Sequence, residues 1–234
     1  MTEAKTVAVI GGGTGAGATT LLVALAMRAQ AAGRRVCAVD ADPCGGGLDV
    51  AFGIETGPGV RWEDLLGSDG PLDGARLAER LPGRDTRPGV LSFGRQWCTV
   101  PDELFDRTLE GLRDAHDLVL IDVGRHRATR ATVAGHDELV LVARGTASGL
   151  AAAGATAQRI ERLPSLVVRG AGAPSAREAA AALGMQLAAV LPTDRRLAID
   201  AERGVPAGSR ARSAYVGECD TLLRDLLLGE DVAA

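Results

Sequence analysis

One stretch near the start of the chain constrains the fold more than any other. Thr6 to Ile10 (TVAVI) is a short β-branched run, a buried strand by length and composition. A glycine-dense turn, Gly11 to Gly17, follows at once. Thr19 to Ala32 is rich in alanine and leucine and reads as a helix closed by Gly33. Val36 to Val39 is a second strand, ending on Asp40. Strand, helix and strand within about 35 residues make a βαβ unit, which requires a parallel sheet.

The rest of the chain repeats that alternation. Strands are expected at Leu118–Ile121, Leu139–Val142, Leu166–Val168 and Leu187–Leu191. Helices are expected at Ala147–Leu163, Ala176–Leu183, Leu197–Arg203 and Tyr215–Leu228, with short ones at Trp62–Leu66 and Ala75–Leu81. Thr99, Pro101 and Asp102 give a start signal for a helix running to Ala115. The remainder of residues 41 to 90 reads as irregular. Strands that are apolar throughout and alternate with helices imply an α/β fold: a doubly wound, mainly parallel sheet with helices on both faces. With 234 residues the chain is long enough for one large α/β domain and too short for two, so residues 1–234 are expected to form a single domain.

Composition excludes several function classes. The chain is 46% hydrophobic but only 3% aromatic, so its core must be aliphatic. A net charge of -4 argues against a dedicated nucleic-acid binder, which is normally basic. Cys37, Cys44, Cys98 and Cys219 include no C-x-x-C pair, which argues against a zinc site or redox dithiol. His116, His126 and His136 lack metal-ligand spacing. A strand begins at Thr6 with no leader ahead of it, and no apolar run approaches the roughly 20 residues that span a bilayer, so a cytoplasmic protein is expected. Lys5 is the only lysine, and every other basic side chain is arginine.

The glycine turn is the candidate binding site. Gly12, Gly13, Thr14, Gly15, Ala16, Gly17, Ala18, Thr19 and Thr20 match the phosphate-loop pattern G-x-x-x-x-G-K-[ST] at Gly12, Gly17 and Thr19, but Ala18 stands at the lysine position. Backbone N–H groups and the helix N-terminus can hold phosphate without lysine, and the Thr19 hydroxyl can ligate Mg²⁺. The missing ammonium removes charge that stabilises phosphoryl transfer, so weak binding and very slow or absent hydrolysis are expected. The same residues fit a second pattern. Gly11, Gly13 and Ala16 match the dinucleotide fingerprint, with Asp40 placed to hold a ribose hydroxyl. A glycine turn that binds nothing is the third reading.

Three acids weigh toward the phosphate loop. Asp40 and Asp42 are candidates for catalysis, set one residue apart beside the loop; Asp42 can also order Mg²⁺. Asp122 follows four apolar residues, Leu118–Ile121, in the form in which an acid reaches Mg²⁺ through water. A dinucleotide-binding dehydrogenase has no need of it.

With these motifs in place, the sequence resembles the MinD/ParA superfamily of P-loop ATPases. The strand–glycine loop–Thr-Thr start, VDADPCGGGLDVAFG, LVLIDVG and LPTDRRLAIDAERGVPAG carry the resemblance through nearly the whole chain. It is most similar to the CpaE/TadZ-like branch and to actinobacterial Ssd-like septum-site proteins. The resemblance implies ATP or ADP with Mg²⁺, Pro192 near the adenine, a homodimer, and protein partners in the division or pilus/secretion machinery at a pole or septum. The chain departs from the family where Gly13 replaces the signature lysine and where Arg169 stands in place of an asparagine near the adenine, and the receiver-like domain common in that branch is expected to be absent. The last helix opposes Glu218, Asp220 and Asp225 to Arg224, and anionic lipid repels such a face. It is expected to pack on the domain or a partner. Arg125, Arg127, Arg130, Arg195, Arg196, Arg203, Arg210 and Arg212 could serve DNA, but read more simply as a solvated surface. A working ATPase in which an arginine supplied in trans, by a second subunit, replaces the loop lysine is the enzyme alternative.

Overall fold

The computed structural model describes residues 4–83, 87–124, 136–170 and 175–228. Its β-branched and leucine runs form seven strands: β1 (Lys5–Gly11), β2 (Val36–Asp40), β3 (Gly89–Leu91), β4 (Leu118–Val123), β5 (Glu138–Arg144), β6 (Ser165–Arg169) and β7 (Leu187–Leu191). They lie in one sheet, in the order β3-β2-β4-β1-β5-β6-β7, and every pairing is parallel. The helices are α1 (Ala18–Ala31), α2 (Leu48–Ala51), α3 (Trp62–Leu65), α4 (Gly74–Arg80), α5 (Asp102–Ala115), α6 (Ala147–Ala157), α7 (Ala176–Leu183), α8 (Arg196–Ala201) and α9 (Ala214–Leu228).

Side chains alternate across each strand, and the core divides accordingly. Ile10, Val39, Ile121 and Leu141 face one layer, where Trp62, Leu104, Leu112, Leu150 and Ala179 from α3, α5, α6 and α7 cover them. Val9, Ala38, Leu120 and Val140 face the other, under Leu22 and Leu25 of α1 and Tyr215, Cys219 and Leu222 of α9. Helices on both faces of a parallel sheet are the doubly wound architecture expected from the sequence.

The last helix packs on the domain, one of the two alternatives expected of it. Its Asp220 accepts from Arg28 of α1 at 2.7 and 3.0 Å, fixing the helix across the sheet. The four cysteines form no disulfide.

Local differences from expectation have physical causes. The strand β3 lies in the segment read as irregular; at three residues after Pro88 it is too short to show a period, and its pairing with β2 creates it. The helix α6 ends at Ala157 rather than Leu163. Arg159 and Ile160 donate to Thr156 and Ala157, three residues back, a tightened turn that closes the helix before Pro164. Pro101 sits at the N-cap of α5 rather than in its first turn, and no side-chain cap forms there, so Thr99 does not cap it. Asp102 and Glu103 in the first turn supply the favourable interaction with the helix dipole instead.

Candidate functional site

Parallel strands place all their C-terminal ends on one edge of the sheet, and the candidate residues meet there. The turn after β1 leads into α1, and β2 and β4 end in register with Asp40 opposite Asp122. A cavity of about 680 Å³ opens between them, lined by Gly13 to Thr20, Asp40, Asp42, the glycines Gly45 to Gly47, and Asp122.

The turn is a cradle of backbone. Gly15 and Gly17 have φ of 66° and 100°, a region that side chains with a Cβ rarely enter. The first turn of α1 has no acidic residue and no side-chain cap. Its leading N–H groups therefore have no intrahelical acceptor and line the cavity with partial positive charge. Gly12 is tied into the sheet and α6 behind the loop. Its N–H donates to Val142 at 2.8 Å and its carbonyl accepts from Thr156 at 3.1 Å. A Cβ there would come within 2.7 Å of Ala153, so Gly12 lets α6 approach the loop. Pro192, just past β7, is absent from the residues lining this cavity.

The carboxylates have unequal roles. Asp40 is 3% exposed, and its carboxylate oxygens are fully engaged. One accepts from the Asp42 N–H at 3.0 Å; the other accepts from the Leu48 N–H and the Ser92 hydroxyl, both at 2.9 Å. Its backbone carbonyl accepts from Trp62 Nε1 at 2.8 Å. Asp40 thus shapes the loop from 41 to 48, and burial pushes its carboxyl up from the usual range. Asp42 is only half-buried and packs so tightly over Gly124 that a Cβ there would lie 2.2 Å from its Cγ. Asp122 accepts a hydrogen bond from the Thr19 hydroxyl at 2.7 Å. Burial, and to a smaller extent the negative charge of Asp40 and Asp42, pushes its carboxyl up to about 7.

The charge around this cavity is lopsided. Asp40, Asp42, Glu55, Asp122 and Glu202 line it, and no lysine or arginine does among the described residues. Lys5 pairs with Glu138 at 3.6 Å, at the opposite end of β1, about 20 Å along the strand from the loop. An anion entering the cavity meets amides first, and multiple negative charges there call for a cation to accompany it.

The sequence did not point to Ser92 or Arg95, gave Trp62 only as the start of a short helix, and marked Arg169 only as a departure from the family near the adenine. Ser92 was hidden because it follows the unrecognised β3. Arg95 reaches the buried Asp49 at 3.2 Å, across the loop that carries Gly47. Arg169 donates to the Gly15 carbonyl at 3.0 Å. Of the late arginines, Arg210 is bound by two hydrogen bonds to Asp200, at 2.7 and 2.8 Å. Arg125, Arg127, Arg130 and His126 lie outside the described residues.

Strand order decides between the phosphate-loop and dinucleotide readings. In a dinucleotide fold the first two strands are neighbours. Here β4, carrying Asp122, separates β1 from β2. Solved structures agree. The MinC:MinD cell division complex of Aquifex aeolicus superposes with a TM-score of 0.80 at 18% identity, covering 99% of this chain and 98% of that one. The chain has the MinD/ParA-type P-loop fold. A ParA family ATPase from Chlorobium tepidum gives a TM-score of 0.77 at 13% identity, over 96% of this chain and 98% of that one. The septum site-determining protein MinD of Pyrococcus horikoshii, complexed with Mg-ADP, gives 0.66 at 18% identity, over 99% and 100%. No family model matches the chain. An uncharacterized protein of Mycobacterium tuberculosis is 36% identical over 205 residues, 85% of this chain. The chain spans 57% of that relative's length. Within this fold, the cradle after β1 and Asp122 on β4 meet at the C-terminal ends of the strands, beside the same cavity.

Proposed function

We propose that this chain is a MinD/ParA-like spatial regulator that binds ATP or ADP with Mg²⁺ weakly and hydrolyses ATP very slowly or not at all. The observation that carries this reading is the Thr19–Asp122 hydrogen bond of 2.7 Å beside an amide-lined cradle whose lysine position holds Ala18. The fit to a nucleotide phosphate rests on the first turn of α1, which has no cap and no acid of its own. The cavity of about 680 Å³ falls in the range typical of small-molecule sites.

Each residue then has a role. The amides from Gly13 to Thr20 hold phosphate. Thr19, Asp42 and Asp122 would hold Mg²⁺, which supplies positive charge against the phosphate oxygens when bound. Asp42 is the better candidate to orient water, since both oxygens of Asp40 are committed to the protein. Without a lysine at position 18, the developing charge of phosphoryl transfer lacks one stabiliser, a loss of about 3–4 kcal/mol by comparison with other charge-stabilising groups.

Binding without turnover suits a protein that works by contact. The MinD neighbour in complex with MinC supports protein partners by analogy. We place the chain with the CpaE/TadZ-like and Ssd-like proteins, as a homodimer that positions septum or Tad pilus machinery. The test is imaging of a fluorescently tagged chain in its own host, with Asp122→Asn alongside. A focus at a pole or septum that Asp122→Asn disperses supports the reading. A uniform distribution of the unaltered chain contradicts it.

A further inference from the structure

The cradle has no lysine, yet one cation touches it from behind. Arg169 ends β6, and its backbone is held by the sheet: its carbonyl accepts from the Gly145 N–H at 2.9 Å, and its Cα is in register with Arg144 and Leu191. From this fixed base the side chain crosses to the phosphate loop and donates one N–H to the Gly15 carbonyl at 3.0 Å. Its Cδ, Nε and Cζ lie over Gly17, 3.3 to 3.5 Å from where a Cβ would stand. Gly17 is needed for its φ of 100°, and the guanidinium packs against it.

The guanidinium is poorly compensated. A guanidinium has five N–H donors. Among the described residues Arg169 pairs with no carboxylate and makes the one hydrogen bond to Gly15. It lines a second cavity of about 220 Å³ together with Thr19, Thr20, Asp194 and Leu197. Thr19 and Thr20 line both cavities, so Arg169 stands where the first turn of α1 separates them.

We propose that Arg169 supplies from within the same chain the positive charge that bound phosphates would otherwise take from a lysine at position 18, and so sets nucleotide affinity. This rests on the nucleotide-binding reading above. It removes the need for an arginine supplied by a second subunit.

The test is titration of the unaltered chain, Arg169→Ala and Arg169→Lys with fluorescent ATP in Mg²⁺, with ADP and adenosine as competitors. Arg169→Ala is expected to weaken ATP and ADP at least tenfold, leave adenosine competition unchanged, and melt within a degree or two of the unaltered chain. Arg169→Lys should recover part of the loss. Equal ATP affinity in the unaltered chain and Arg169→Ala overturns the proposal. So does a loss that is the same for ATP and adenosine, since that marks Arg169 as a prop for the loop. If the unaltered chain binds no nucleotide, the underlying reading fails first, and this proposal with it.

Discussion

At the scale of single residues, the proposed phosphate site rests on backbone amides at the start of α1, with Ala18 at the lysine position. Ala18→Lys tests that proposal. The substitution should tighten ATP binding at least tenfold and raise phosphate release by about 10²- to 10³-fold, the range seen when one charge-stabilising donor is gained or lost. Phosphate release under single-turnover conditions measures it. An unchanged rate would count against Asp42 as the residue that orients water. Asp122 gives a second prediction. Its carboxyl titrates at about 7 in the folded protein, above its ordinary value. The folded state therefore binds the proton more tightly than the unfolded one. The resulting stability is fully present below about pH 4 and is lost as pH rises through about 7. Over that window it amounts to at most about 4 kcal/mol, or up to about 16 °C in melting temperature for a chain of this size. Metal-free protein should melt lower at pH 8 than at pH 5, and Asp122→Asn should flatten most of that slope. Asp40, also pushed up by burial, retains a smaller slope of the same sign. A steep slope that survives in Asp122→Asn would assign the effect elsewhere.

At the scale of elements, the site depends on short segments that carry little sequence signal. Trp62 of α3 is fully buried, stacks on Phe105 at 5.5 Å, and donates to the Asp40 carbonyl. The chain has two tryptophans, one tyrosine and three phenylalanines, and Trp62, Phe93 and Phe105 meet in this one cluster. Trp62→Ala should cost about 3–5 kcal/mol by cavity formation. It should also loosen the Asp40 loop, seen as faster hydrogen exchange at Asp42 and Leu48. A loss of stability with no change in exchange there would separate the aromatic cluster from the site. The long, uniformly apolar strands and α1 were legible in the sequence because their period and length leave no alternative. The strand β3 and the end of α6 were not, because pairing with β2 and a tightened turn before Pro164 decide them. The motif residues Thr19, Asp42 and Asp122 were legible by spacing. The structural duty of Gly12 and the reach of Arg169 were not, since both depend on contacts made by elements more than 130 residues further along the chain.

At the scale of the whole molecule, strand order matters more than any single motif. Placing β4 between β1 and β2 brings Asp122 to Thr19 and takes Asp40 away from the loop's immediate neighbour strand, where a ribose-binding acid would sit. The last helix, fixed to α1 through Asp220 and Arg28, covers one face of the sheet. No helix among the described residues is long and apolar enough to cross a membrane. The central claim is that this fold still binds a Mg²⁺-nucleotide through its amide cradle without a loop lysine. The most direct measurement is equilibrium binding of a fluorescent ATP analogue in Mg²⁺ and in EDTA, with NADH as competitor. Saturable binding that is lost in EDTA and unaffected by NADH is the predicted result. No binding at about 1 mM analogue, or displacement by NADH, would contradict the account.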